Sequence, residues 1–280
     1  DDILLSIMGT VGDITIVPKD FEPAMCNRAL AIIKNIKDIS PQFLFAYLTT
    51  KSAFIDIERL KNGGVQQRLN LDVLNKLRIP ILNNSFQEKV EELVLNSQAV
   101  RKLSKSKYSE AEQLLLQAIG LADFKPNEDG VNIKSFKESF GTSGRLDAEY
   151  YQPKYEEVIS KIEKQKHEKL KSIVSIKKSI EPGSINYSEE GLPFMRVADF
   201  SKNGLTEPQK FLKTEFVKTN KEKIEKLKPK QGTILFSKDG SVGTAYHLRN
   251  DFNGITSGAI LHLKVKNEKQ LIPEYLTLAL

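Results

Sequence analysis

The sequence predicts an α+β fold: two partial copies of one mixed α/β domain joined by a long amphipathic helix. Three observations predict it. Apolar residues recur at helical spacing from 86 to 119. A stretch at the start of the chain reappears, feature by feature, 231 positions later. Short β-rich runs punctuated by glycine turns stand in both copies.

In the helical run, Phe86, Val90, Leu93, Val94, Val100, Leu103, Ala111, Leu114, Leu115 and Ala118 recur at intervals compatible with a three-and-four helical spacing. They form one stripe, with Glu, Lys, Gln and Ser on the other face. Ser85 and Glu88 have the spacing of a capping box, in which each side chain satisfies an orphan amide at the helix entry. No proline interrupts the run, and Gly120 stands where a helix stops. At 1.5 Å per residue the helix reaches about 50 Å, longer than an ordinary domain needs. Its stripe either packs into its own domain's core or faces a partner.

The repeat pairs residues 1–12 with 232–243, including Gly9 and Gly12 with Gly240 and Gly243. It holds as far as Asp20-Phe21 against Asp251-Phe252, and after slight slippage Pro41 meets Pro273. Both copies run in the same order: apolar strand, Gly-x-x-Gly turn, second strand, acidic-aromatic turn, another strand pair, Pro-started helix. A period this long means duplication of a whole domain rather than a solenoid. The chain therefore holds roughly one period in permuted order. Beginning with Asp1 rather than Met, it reads as a fragment or a processed chain.

Taken in order, residues 14–17 and 30–33 are β-rich, and 41–61 reads as a helix started by Pro41. Phe43, Leu44, Tyr47, Leu48, Phe54 and Ile55 form its expected buried face. A glycine-led polar loop, 62–70, leads to a helical 71–77 and an extended 78–81. Residues 122–145 form a connector, and 147–169 a helical entry to the second domain. Residues 180–200 and 233–265 read mostly as strands, separated by a Lys-rich turn or helix at 218–230. The expected domains are 1–83, the spacer helix 84–121, the linker 122–145 and a second domain 146–280.

The 280 residues carry a net charge of +6 and a pI near 9.1, compatible with a polyanion partner but weak evidence alone. The single cysteine, Cys26, excludes a disulfide framework and fits a reducing, cytoplasmic setting. No apolar run is long enough to span a membrane, and no secretory signal pattern is present.

Several segments together resemble the specificity subunit of type I restriction-modification systems. They are Asp2-Ile3-Leu4-Leu5-Ser6 with Gly9-Thr10-Val11-Gly12, Gly64-Val65-Gln66-Gln67-Arg68-Leu69-Asn70, and Leu77-Arg78-Ile79-Pro80-Ile81 before the capped helix. Arg145-Leu146-Asp147-Ala148-Glu149-Tyr150-Tyr151 and Gly191-Leu192-Pro193-Phe194-Met195-Arg196-Val197-Ala198-Asp199 complete the set. The resemblance implies two target-recognition domains, each reading half of a split site in double-stranded DNA. It implies methyltransferase (M) and restriction/translocase (R) subunits as partners, with this chain a non-catalytic recognition subunit without a cofactor. It also makes the long helix a ruler. Phe86, Val90, Leu93, Val100, Leu103 and Leu114 would then pack against a second, antiparallel helix.

The candidate DNA-contacting residues each have a plainer alternative. Gln66, Gln67 and Arg68 are types that read base edges, amides pairing with adenine and Arg with guanine; equally they suit a solvated loop, with Asn70 capping the next helix. Ser6 and Thr10, like Ser241 and Ser237 in the second copy, flank turns where backbone approaches phosphate, or where a tight hairpin only needs glycine. Lys238 and Asp239 replace Ile7 and Met8 at equal repeat positions, as two different half-site readers would, or as an exposed turn drifts. Arg196 is placed to contact DNA or to pair with Asp199. The lysines of 218–230 form a solvated face or supply phosphate contacts.

Catalytic patterns are missing. There is no phosphate-binding Gly-x-x-x-x-Gly-Lys-Ser/Thr, no Gly-x-Ser-x-Gly elbow and no Asn-Pro-Pro-aromatic tetrapeptide. His167, His247 and His262 lack metal-ligand spacing. Two other readings stay open: the recognition region of a single-chain methyltransferase-endonuclease, and a protein-interaction module built on the helix.

Overall fold

The computed structural model describes residues 1–64, 67–127 and 130–280. Two compact units, Asp1–Tyr108 and Ser109–Leu280, divide the chain at a point inside its longest helix.

The first unit is built on β1 (Ile3–Ser6), which pairs antiparallel with β2 (Ile14–Ile16) on one side and β3 (Leu30–Ile33) on the other. Alternation puts Ile3 and Leu5 on one face, and both are fully buried. Each such burial contributes about 1.5–3 kcal/mol. Helices α1 (Pro41–Leu48), α2 (Lys51–Leu60) and the single turn α3 (Leu71–Leu74) follow. Leu44 and Leu48 of α1 cover Ile3 and Ile16, while Ile57 of α2 and Leu69 cover Leu5 and Ala31.

The single helix expected over 41–61 is two. The Ser40 hydroxyl accepts the Phe43 amide at 3.3 Å and the Thr50 hydroxyl accepts the Ala53 amide at 3.2 Å, so each hydroxyl starts its own helix. The break resets the rotation of the second piece. Ala53 and Ile57 therefore face the core, and Phe54 and Ile55, expected to be buried, are exposed. Asn70 occupies the cap position of α3, but its side chain makes no capping bond.

Helix α4 (Asn84–Ala118) confirms the long helical run. Its start is corrected: Ser85 lies inside the helix, and Asn83 is the cap, its side-chain oxygen accepting the Phe86 amide at 2.9 Å. Its end is the expected one. Gly120 has a φ of +71°, its amide donates to Gln117 O at 3.1 Å, and the Leu121 amide donates to Leu116 O at 2.7 Å. That pair of bonds is a Schellman closure.

After the last turns of α4, the second unit continues with short helices: α5 (Phe140–Ser143), a 3-10 turn at Ala148–Tyr151, α6 (Pro153–Glu163) and α7 (Leu170–Ile173). The helical entry expected over 147–169 is helical in pieces, because Pro153 forces Gln152 into an extended conformation between them. The strands are β4 (Val174–Lys178), β5 (Tyr187–Ser188), β6 (Leu192–Met195), β7 (Phe200–Ser201), β8 (Gly204–Leu205) and β9 (Phe211–Leu212). Helices α8 (Thr214–Thr219) and α9 (Lys221–Leu227) come next; then β10 (Ile234–Ser237), β11 (Ala245–His247), β12 (Ile255–Thr256), β13 (Ile260–Val265) and α10 (Pro273–Ala279). They assemble as sheets β11-β10-β13-β4 and β12-β6-β9-β5, with β7-β8 as a small ribbon. The Lys-rich stretch is helical, and Ile224 and Leu227 of α9 are core residues.

The strand-turn-strand part of the repeat keeps its register in three dimensions. Leu4 faces Thr15 and Leu5 faces Ile14; 231 residues later Leu235 faces Tyr246 and Phe236 faces Ala245. The third strand shows the slippage: Leu5 faces Ala31, but Phe236 faces Leu261, one residue short of the same offset.

Candidate nucleic-acid interface

The site is built twice, once per unit, from the loop that leaves the central strand of each three-stranded motif. In the first unit the Ser6 amide donates to Asp13 O at 2.8 Å, the Gly12 amide to Ser6 O at 3.0 Å and the Val11 amide to Gly9 O at 2.9 Å. Gly9 and Gly12 adopt φ values of +78° and +105°, which other residues adopt only with strain. Ser6 is buried and its hydroxyl donates to Met8 O at 3.2 Å, so its side chain braces the turn from inside. Thr10 is exposed at the tip.

The loop 62–70 docks against this turn. Asn62 and Arg68 exchange two backbone bonds, each 2.9 Å, which close the loop at its base. The Leu69 amide donates to Ile7 O at 2.9 Å, and Arg68 sits opposite Met8 in a β-bridge. Thr10, Gln67 and Arg68, distant in sequence, therefore share one exposed rim. Arg68 makes no ion pair among the described residues. Gln66 lies outside the described residues.

In the second unit the same three bonds recur: Ser237 amide to Thr244 O at 2.9 Å, Gly243 amide to Ser237 O at 3.0 Å, Val242 amide to Gly240 O at 2.9 Å. Ser237 is fully buried, and its hydroxyl accepts the Thr244 amide at 2.9 Å and donates to Ser241 O. The exposed side chains of this rim are Asp239, Ser241 and the apolar Val242. Half-buried Lys238 pairs with its neighbour Asp239, and the Lys238 amide donates to Ala259 O at 2.9 Å. Arg196 is brought close as well. A side chain on Gly240 would lie 3.9 Å from Val197 Cγ1, so the turn sits beside the residue that follows Arg196.

Arg196 pairs with Asp199, as its spacing allowed. The Asp199 carboxylate is buried and accepts the Arg196 amide at 2.8 Å, with Arg196 Nε at 3.5 Å from the same oxygen. The guanidinium keeps most of its donors free of that contact and remains half-exposed. The Lys-rich segment is partly neutralised. Lys228 pairs with Glu225 at 2.7 Å and Lys230 with Asp251 at 3.1 Å. The Gln231 amide first, then Lys230, hold the Asp251 carboxyl below its ordinary range.

Two further groups singled out by the sequence stand apart from the rims. The motif around Arg145 is a self-bracing knot: Arg145 Nε donates to Asp147 at 2.7 Å, its guanidinium lies 4.4 Å from the Tyr150 ring centroid, and Tyr151 OH donates to Arg145 O at 3.1 Å. The stripe on α4 is open: Leu93, Val100, Leu103 and Leu114 are between 58% and 70% exposed, Phe86 is exposed at 46%, and Val90 is half-buried. The buried residue of α4 is Gln87, which the sequence reading passed over. Its signal was present, since Gln87 precedes Val90 and Val94 by three and seven positions and so interrupts their stripe with an amide. No helix among the described residues is long and apolar enough to cross a membrane.

Residues 1–93 and 162–280 match the family profile described as the type I restriction modification DNA specificity domain. The match omits most of α4 and the connector after it. A comparison with curated proteins gives no match. Among solved structures, one from a study of type I R-M complex assembly and conformational transition is similar at 18% identity and a TM-score of 0.32. It covers 99% of this chain and 63% of that one. The HsdS subunit of Thermoanaerobacter tengcongensis gives 18% identity, a TM-score of 0.32, and coverage of 99% and 62%. The S subunit of M. genitalium gives 17%, 0.31, 99% and 63%. The chain thus spans under two thirds of the length of these structures.

Proposed function

Because the chain belongs to the type I restriction modification DNA specificity domain family, we propose that it is a sequence-specific DNA-recognition subunit. It reads a bipartite site in double-stranded DNA in the cytoplasm, without catalysis of its own, and directs methylation and restriction by M and R subunits. In this reading residues 1–83 and 146–280 are the two readers, 84–121 the spacer and 122–145 the linker. One observation carries it: the same glycine turn, in the same register, presents different side chains in the two units. A common scaffold with Thr10, Gln67 and Arg68 on one rim and Arg196, Lys238, Asp239 and Ser241 on the other suits two half-sites of different sequence. Lysine and arginine set register on phosphates, and polar side chains discriminate base edges. The open stripe of α4 supplies the surface on which an antiparallel helix or an M subunit docks.

The test is selection from randomised duplexes by the protein assembled with its M subunit, at two salt concentrations. A split motif is expected, with affinity falling steeply as salt rises, by a log-log slope of about −0.9 per phosphate contact. Pools that stay random in both conditions would overturn the proposal, and the α4 stripe would then stand as a protein-assembly surface.

A further inference from the structure

In each unit a second turn, just before β3 or β13, is bonded to the start of the glycine loop. The Ile7 amide donates to Ala29 O at 2.8 Å, and the Lys238 amide donates to Ala259 O at 2.9 Å. The Leu30 amide closes the first of these turns on Asn27 O at 3.2 Å. The Ile260 amide closes the other on Ser257 O at 3.1 Å. By the offset of the strands that follow, Arg28 and Gly258 occupy one and the same scaffold position. The chemistry there is opposite in the two units. In the first, Arg28 is exposed. In the second, Gly258 leaves the place of a side chain open and a carboxylate fills it. Glu181 Oε1 lies 2.5 Å from where a Cβ on Gly258 would stand. The neighbours of Glu181 hold it there: Ile180 and Pro182 are buried, Ile180 forms a β-bridge with Ser257, and the Ser179 hydroxyl donates to Thr256 O. Arg28 and Glu181 make no ion pair among the described residues.

We propose that this turn is a base-reading position in both units, where Arg28 selects guanine in one half-site and Glu181 selects cytosine in the other. The inference rests on the DNA-recognition reading above. A guanidinium only donates, which suits guanine O6 and N7, and an ionised carboxylate only accepts, which suits the cytosine N4 amino group. Adenine sets its N7 acceptor beside its amino donor, so the carboxylate favours cytosine. An unpaired carboxylate on a surface that meets phosphates lowers affinity for every sequence by charge repulsion. Only a base that donates to it offsets that repulsion, so its effect is discrimination. Asp239 differs, since Lys238 neutralises it.

The experiment is selection from randomised duplexes with wild type, Arg28→Ala, Glu181→Gln and Gly258→Ala, each as the full-length protein assembled with its M subunit. Arg28→Ala is expected to lose guanine preference at one base pair of one half-site, by about five- to 150-fold. Glu181→Gln keeps the side-chain volume and removes the charge. It is expected to lose cytosine preference at one base pair of the other half-site, by about five- to tenfold, and to bind non-cognate duplexes more tightly. Gly258→Ala keeps the charge but pushes the carboxylate aside, so the same base pair should lose its preference without the gain in non-cognate binding. In each variant the sequence of the opposite half-site should stay as in wild type. If Arg28→Ala weakens every sequence equally, Arg28 holds a phosphate and the guanine assignment is overturned. If Glu181→Gln raises affinity for every sequence equally, the carboxylate only repels and the cytosine assignment is overturned. If wild type itself enriches no split motif, the recognition reading fails and both assignments fall with it.

Discussion

His262 shows how a single side chain ties the second unit's stability to pH. It sits on β13, buried, sharing a 2.8 Å hydrogen bond with the Thr256 hydroxyl, opposite Lys177 of β4. Burial, and then the Lys177 charge, push its pKa down from 6.5 to about 4. Below the ordinary value the unfolded chain takes up a proton that the folded ring refuses. Its contribution is therefore complete above pH 6.5 and is lost as pH falls toward about 4. The full shift corresponds to about 3 kcal/mol as an upper bound. Urea unfolding at pH 7 and pH 5 is expected to show up to about 2 kcal/mol of this loss, and His262→Gln should flatten the difference. His247 is shifted down by burial as well and works in the same direction, so some slope should remain. The sequence shows His262 only as a histidine without metal-ligand spacing. Its titration was not legible there, because desolvation depends on which strands close over it.

At the scale of elements, punctuation mattered more than periodicity. The apolar period of 41–61 is helical throughout, yet Ser40 and Thr50 each start a helix. The hydroxyl caps decided the outcome, and they can be read only when the break they serve is known. Gly191 shows the same limit. A side chain there would meet Leu212 O at 2.3 Å, a close approach between β6 and β9 that a sequence motif marks but cannot explain. Gly120, by contrast, was readable in advance as the end of the long helix. Nothing lies within 4 Å of its missing side chain, so only its left-handed backbone demands glycine. Gly120→Ala is expected to cost about 1 kcal/mol in urea unfolding and to fray the last turn of α4 in hydrogen exchange. Gly120→Asn should lose less, since asparagine tolerates that conformation better.

For the molecule as a whole, duplication makes the two rims separable experimentally. Arg68, on the loop that docks on the first turn, is exposed and free of ion pairs among the described residues, while Lys238, on the second unit's glycine turn, pairs with Asp239. In selection with the assembled protein, Arg68→Ala is expected to relax sequence preference at one half-site only, by about 1–3 kcal/mol at the affected base pair. Lys238→Ala should change the other half-site and leave the first intact. If both substitutions weakened both half-sites equally, the side chains would be contacting phosphate alone. Ser6 and Ser237 face inward as braces, so their substitution should lower stability before it alters specificity. That distinction was invisible beforehand, because a serine beside a glycine turn looks the same whether it points in or out.

By itself the sequence determined the α+β class, the duplicated strand-turn-strand, the long helix with its Gly120 stop and the family. All of these rest on local pattern: alternation, helical spacing, glycine backbone freedom and identity between copies. Only the tertiary structure decided that residues 68 and 69 close on the turn after β1, that Val197, next to Arg196, lies beside Gly240, and that Gln87 is the buried residue of α4. The physical reason is range. Each of these is a contact between segments tens of residues apart, made only once the strands and helices have formed and brought those segments together.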